Sequence, residues 1–170
     1  MRWVAMLLAM PLILSASTPA RGEVQPLIVG VNRMSYRVTS RKLLEVRVTV
    51  APLPADSLVR STVWGAYESL PAETQVRQLE IRLADTTVWV PRSAYADLGN
   101  PRWVKLQPYA KGLCFTLNGG DGITGYDAYF FIEHGALRRR RVEMGEFPKE
   151  SWEETTYAWP AVLVRETTVP

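Results

Sequence analysis

The chain has 170 residues, 22% of them charged, a formal net charge of +3, one histidine and one cysteine. Such a mild charge gives no reason to expect nucleic acid or an anionic membrane as a partner. One cysteine excludes an internal disulfide, so stability has to come from a hydrophobic core. A zinc site needs more histidines or cysteines, and a nucleophilic triad would have to use the single histidine.

Residues 1–20 have the pattern of a secretory signal peptide. Arg2 supplies a positive start, Trp3 to Leu14 are mostly apolar, and Ser15 to Ala20 are mostly small. The apolar stretch is shorter than the ~20 residues of a membrane span. The sequence therefore predicts an exported protein, periplasmic or secreted, with no transmembrane segment after cleavage. Residues 21–170 are expected to form a single β-rich domain, with a frayed tail or a final strand after residue 160.

The first half of the mature chain shows mostly strand patterns. Alternation of apolar and polar residues is strict from Leu44 to Val50, with the apolar side chains expected inward. The segment 58–70 fits helical spacing slightly better than strand spacing, and both interpretations stay open. The predicted elements are strands at 25–31, 36–50, 76–83 and 88–90, with a turn at Asp85-Thr86 between the last two.

The second half is organised around residues 103–144, which predict three or four consecutive antiparallel strands. A glycine-rich turn at 118–122 and a two-residue turn at His134-Gly135 separate these strands. Short helices are expected at 91–98 and 148–154, and a last strand at 155–159. The pattern predicts a mainly β fold of antiparallel sheets, sandwich or barrel-like, with two or three short helices. An α+β arrangement is the alternative.

The glycine-rich turn formally matches two binding motifs. Gly120 to Gly125 fits the dinucleotide fingerprint, but that motif needs a following helix, whereas residues 126–132 alternate with a strand period. The same glycines resemble one calcium β-roll repeat, but Thr124 stands at the position of an aspartate ligand and the motif occurs once. We therefore expect a wide turn with glycines at positive φ, and neither a cofactor nor a metal ion.

The predicted strand at 126–133 has two different faces. One face is wholly apolar and is expected in the core: Tyr126, Ala128, Phe130 and Ile132. The other carries the candidate ligand-binding residues Asp127, Tyr129, Phe131 and Glu133, where aromatic rings stand beside acids as in a glycan groove. This second face is either another core layer, covered by the predicted helices, or an open surface for a protein or glycan.

Arg138 to Arg141 is the strongest run of charge. Successive residues of a strand point to opposite faces, so the four arginines cannot form one patch, and Arg138 and Arg140, which share a face, are the candidate anion-binding pair. The glutamates between Glu143 and Thr155 favour internal neutralisation, and a charge-protected edge strand is a further interpretation.

Two functional classes remain. The preferred one is an exported, non-catalytic module that binds or inhibits a protein or packs within an envelope assembly, because no acid–base constellation stands out. The alternative is a glycan-binding or glycan-hydrolysing protein that uses the acidic and aromatic residues of segment 121–133.

Overall fold

A computed structural model describes residues 24–39, 43–150 and 152–158. The described residues contain ten strands, no α-helix and three short 3₁₀ helices at Leu58–Ser61, Arg92–Ala94 and Gly122–Thr124. The strands are β1 Val24–Pro26, β2 Gly30–Arg37, β3 Leu43–Pro52, β4 Thr74–Leu83, β5 Thr86–Val88, β6 Pro101–Tyr109, β7 Gly112–Gly119, β8 Tyr126–Glu133, β9 Ala136–Met144 and β10 Trp152–Thr156. None of the described helices is long and apolar enough to cross a membrane.

The strands form two antiparallel sheets, which confirms the predicted mainly β fold. The large sheet has six strands in the order β1-β6-β7-β8-β9-β10, and the small sheet has four in the order β2-β3-β4-β5. Most neighbours in each sheet are also neighbours in sequence, because short turns connect antiparallel strands.

The inward faces of both sheets contribute to one hydrophobic core. On β3 of the small sheet, Leu44, Val46, Val48 and Val50 are at most 3% exposed. On β8 of the large sheet, the predicted core residues Tyr126, Ala128, Phe130 and Ile132 are at most 2% exposed. The period-2 alternation therefore identified the buried face of both central strands correctly.

Two predicted turns are confirmed. His134 and Gly135 both have positive φ, at 51° and 75°, as a type I′ hairpin between β8 and β9 requires. In the glycine-rich turn, Gly120 and Gly122 have φ of 66° and 48°. The Asp121 side chain accepts from the Gly122 backbone N–H and caps the short helix, and β8 follows directly. A strand after the turn provides no helix N-terminus for a dinucleotide.

Segment 58–70, for which helix and strand both stayed open, forms neither along its length. Only Leu58–Ser61 is helical, as one 3₁₀ turn, and Gly65 at φ 83° helps to keep the rest irregular. The helix predicted at 148–154 is wrong, because the described residues of that segment contain no helix and β10, which begins at Trp152, pairs with β9. Tertiary pairing to an available strand edge has overridden a weak local helix signal there.

Other predicted boundaries also shift. The predicted strand at 25–31 is split between β1 and β2, which belong to different sheets, and the one at 36–50 is split between β2 and β3. The turn expected at Asp85-Thr86 lies one residue earlier, with Ala84 at φ 52°. The last strand ends at Thr156 rather than continuing to residue 159. The predicted signal peptide at 1–20 and the tail after 160 lie outside the described residues.

Candidate functional site

The candidate site is the outer face of the large sheet, formed by the side chains of β6 to β10 that point away from the core. Strand register brings the predicted ligand-binding residues of β8 together with partners on both neighbouring strands. Tyr129 is paired with Thr116 of β7 and Arg141 of β9, while Phe131 is paired with Cys114 and Arg139.

An aromatic cluster centred on Phe131 occupies one part of this outer face. The ring centroid of Phe131 lies 5.1 Å from that of Tyr109, edge to face, and 6.4 Å from that of Tyr129, stacked. The guanidinium carbon of Arg139 lies 4.0 Å from the Phe131 centroid. Phe131 stays partly exposed despite these contacts. Aromatic and cation–π pairing therefore fixes the ring orientations without removing the surface from solvent.

A second pairing of arginine with an aromatic ring lies at the edge of the sheet. The guanidinium carbon of Arg141 lies 4.4 Å from the ring centroid of Trp152, a side chain that is 49% exposed. Arg141 also forms an ion pair with Glu143, and Arg139 forms one with Glu154 at 3.4 Å. These contacts are the internal neutralisation that the glutamates after Arg141 predicted.

The aromatic side chains of this outer face stay at least partly exposed. Segments 58–70 and 148–154, which were expected to supply covering helices, form no such helices. Tyr129 is partly buried by its neighbours on the sheet, and this burial, followed by the nearby Asp127 carboxylate, raises its pKa to about 12. Cys114 is 3% exposed, and burial raises its pKa.

The three acidic residues of the glycan-hydrolysis alternative do not converge. Asp121 lies in the glycine-rich turn, where its carboxylate pairs with Arg102 at 2.9 Å. Asp127 and Glu133 lie six residues apart on β8, which corresponds to about 20 Å at the usual rise of a strand. The carboxyl pairs of glycosidases are about 5 to 10 Å apart. These residues therefore lack the spacing of a glycosidase pair.

Register reveals a closer carboxylate pair that sequence reasoning missed. Glu143 of β9 lies directly opposite Asp127 of β8. Asp127 accepts a hydrogen bond from Asn118 Nδ2 at 3.0 Å, and Glu143 pairs with Arg141. Both carboxylates thus have partners on the sheet, which favours an ordered polar patch over a pair poised for proton transfer.

The candidate anion-binding arginines do not share an open groove. Arg140 is 2% exposed and points inward, where its Nη2 lies 2.7 Å from both carboxylate oxygens of Asp97. Its Nη1 contacts the carboxylate of Glu153. Arg138 lies at a β-bulge, where the register between β8 and β9 shifts, and is partly buried. The anion-binding donors of Arg140 are therefore directed at carboxylates of this chain.

Asp97 is a further residue that sequence patterns did not single out. It lies in the loop after the second 3₁₀ helix, 43 residues before Arg140, so only the tertiary fold brings the two together. Burial raises the pKa of Asp97, and the Arg140 guanidinium opposes that shift. Nearby, Tyr126 donates a hydrogen bond to the Gly99 carbonyl at 2.9 Å, and complete burial raises its pKa far above the usual value.

A separate cleft of about 350 Å³ lies beside the glycine-rich turn. Residues 61–68, Ile123, Thr124 and Met144 line it. Among the described residues, no group of three or more histidine, cysteine, aspartate or glutamate side chains is arranged to hold a metal ion.

The chain matches no protein-family model, no curated protein and no solved structure with which it was compared. Its function is therefore inferred from the chemistry of the candidate site.

Proposed function

We propose that this chain is an exported, non-catalytic interaction module that binds a protein partner through the outer face of the large sheet. The observation that carries the proposal is the grouping of Tyr109, Tyr129, Phe131 and Trp152 with Arg139 and Arg141 on one partly exposed face of the described residues. Aromatic residues and arginine are enriched in the parts of protein interfaces that contribute most to affinity.

The arrangement of the charges favours a protein over a glycan as the partner. Sugar-binding aromatic residues need an open ring face, whereas the Phe131 ring already contacts Arg139 and the Tyr109 ring. The ion pairs of Arg139 and Arg141 with glutamates leave the surface close to electrical balance. A mixed aromatic and charge-balanced surface suits a protein partner of moderate affinity.

Site-specific photo-crosslinking in the cells that make the protein tests this proposal. A photoreactive amino acid at Lys105 or Trp152 samples the outer face of the large sheet, and the same residue at Arg33 or Gln78 samples the outer face of the small sheet. We expect one protein to be crosslinked from both large-sheet positions and not from the small-sheet positions. Its yield should fall when Phe131→Ala is added, and equal crosslinking from both sheets would contradict the proposal.

Glycan binding stays the second candidate because Trp152 is 49% exposed while it contacts Arg141. Direct titration with soluble cell-wall fragments separates the two candidates. Binding that disappears with Trp152→Ala but persists with Phe131→Ala would favour the glycan. Export itself is tested by N-terminal sequencing of protein recovered outside the cytoplasm, which is expected to begin near Arg21.

A further inference from the structure

The edge strand β10 is held by backbone pairing and by contacts with arginines of β9. All five of its side chains are exposed, so it contributes no buried residue to the core. Three consecutive arginines of β9 each contact a different residue of β10: Arg139 contacts Glu154, Arg140 contacts Glu153 and Arg141 contacts Trp152. Charge and one cation–π contact therefore supplement the ladder of backbone hydrogen bonds that holds this strand.

The buried charge beside β10 keeps a partner when β10 leaves. Arg140 is the one buried charge in the row, and Asp97 contacts it independently of β10 at 2.7 Å. Residues 145–150, which lead into β10, are exposed throughout. Tyr157, which follows β10, packs against the core and donates its backbone N–H to the Arg138 carbonyl, so it would move together with the strand.

We propose that the edge of β9 is an interaction surface for β10 of a second copy of this chain, so that two molecules associate by exchanging this strand. A second copy carries Trp152, Glu153 and Glu154 in the same order and spacing. Its β10 can therefore make the same contacts with the three arginines of β9 that the chain's own β10 makes. Exchange of an identical element is a low-cost route to a dimer, because each bond lost within one chain is regained between chains.

Protein concentration decides between two forms. In the closed monomer, β10 pairs with β9 of its own chain, and in the exchanged dimer it pairs with β9 of the other chain. The short connection after β9 gives β10 a high effective concentration at its own edge, so dilute protein is expected to be monomeric. Exchange becomes favourable when repulsion between charges destabilises the closed monomer but not the exchanged dimer. Complementary charge reversal provides that condition.

The test uses two full-length variants, R139E/R141E and E154R. In the closed monomer of the first, two introduced glutamates face the native Glu154. In the closed monomer of the second, an introduced arginine faces the native Arg139 and Arg141, so both closed forms are repelled. In a mixed exchanged dimer, the introduced glutamates of one chain meet the introduced arginine of the other, and the second edge has wild-type pairing. We expect at least about tenfold more heterodimer in the mixture than homodimer in either variant alone, measured by native mass spectrometry at low ionic strength.

Two controls make the result interpretable. The triple variant R139E/R141E/E154R restores attraction within one chain and is expected to be monomeric and folded by circular dichroism. The pair R47E and E80R reverses an ion pair of 3.1 Å between β3 and β4, which lie in the middle of the small sheet, and should give no heterodimer on mixing.

Absence of heterodimer in the mixture of folded variants would overturn the proposal, and so would equal dimerisation by the control pair. If either variant fails to fold, the wild-type chain provides the second measurement. Refolding it at high and at low concentration, followed by sedimentation, should give a dimer only at high concentration. A monomer at every concentration, or a dimer in which isotope-labelled and unlabelled chains never combine, would also overturn it.

Discussion

The outer faces of the two sheets cover the same core but differ in chemistry. On the small sheet, Arg33, Arg47, Gln78 and Glu80 point outward, and Arg47 pairs with Glu80 at 3.1 Å. On the large sheet, the outward-pointing side chains include Tyr109, Tyr129, Phe131 and Trp152 beside paired charges. A polar outer face is enough to complete an antiparallel sheet, as the small sheet demonstrates. The aromatic residues of the large sheet therefore require an explanation other than folding.

The largest expected loss of stability comes from one of two neighbouring phenylalanines of β8 that point to opposite faces. Phe130 is fully buried and packs against Phe115 with ring centroids 5.5 Å apart. Phe130→Ala should lower the free energy of unfolding by about 3–5 kcal/mol, because it leaves a cavity in the core. Chemical denaturation measures this loss, and Phe131→Ala on the outer face is the matched control. A loss below about 1 kcal/mol for Phe130→Ala would mean that the core is assigned wrongly.

A smaller effect is expected where charge is buried beneath the large sheet. Asp97→Ala removes the carboxylate that both 2.7 Å contacts of Arg140 Nη2 use. Removing one partner of a buried ion pair typically costs ~3–5 kcal/mol, and the remaining Glu153 contact should reduce this to about 2–3 kcal/mol. Glu153→Ala is the matched control, and its expected cost is below about 1 kcal/mol, because Glu153 makes one contact with Arg140 where Asp97 makes two and its side chain is slightly more exposed, at 44% against 36%. Equal losses in the two variants would show that the Asp97 contact contributes no more to stability than the Glu153 contact.

Sequence alone predicted most of the sheet but only part of the candidate site. Alternation identified the buried faces of β3 and β8, because strand period fixes which side chains share a face. It could not supply the register that brings Arg141 of β9 opposite Tyr129, or the loop that brings Asp97 to Arg140. Such contacts join residues that are distant in sequence. The helix predicted at 148–154 failed for the same reason, since pairing with β9 outweighs local propensity.

The aromatic residues of the outer face should contribute little to stability. Phe131→Ala removes two aromatic pairs, at 5.1 and 6.4 Å, and Tyr129→Ala removes the second of them, in each case from a partly exposed surface. We expect a loss of about 1 kcal/mol for each, measured by thermal melting together with Phe130→Ala. A drop comparable to that of Phe130→Ala in both variants would show that these rings serve as a second core layer. The proposed binding face would then have no support from its aromatic residues.

The smallest expected effect is the response of the same face to alkaline pH. Burial, followed by Asp127, raises the pKa of Tyr129 to about 12, above the value of about 10 in an unfolded chain. Below pH 10 this phenol is neutral in both states, whereas above it the unfolded chain loses the proton first. Stability is therefore expected to fall as the pH rises from about 10 to about 12.

Substitution of the tyrosine separates its contribution from those of Tyr126 and Tyr157, whose pKa values are raised in the same direction. Tyr129→Phe keeps the ring but removes the ionisable hydroxyl, so the decline in stability above pH 10 should become shallower without disappearing. Denaturation midpoints measured from about pH 9 to about pH 11 give the two slopes. Tyr67→Phe, at an exposed tyrosine outside the large sheet, controls for the loss of a hydroxyl. Identical slopes for wild type and Tyr129→Phe would mean that Tyr129 is as solvated as any surface tyrosine, and that the aromatic cluster is more open than its ring contacts suggest.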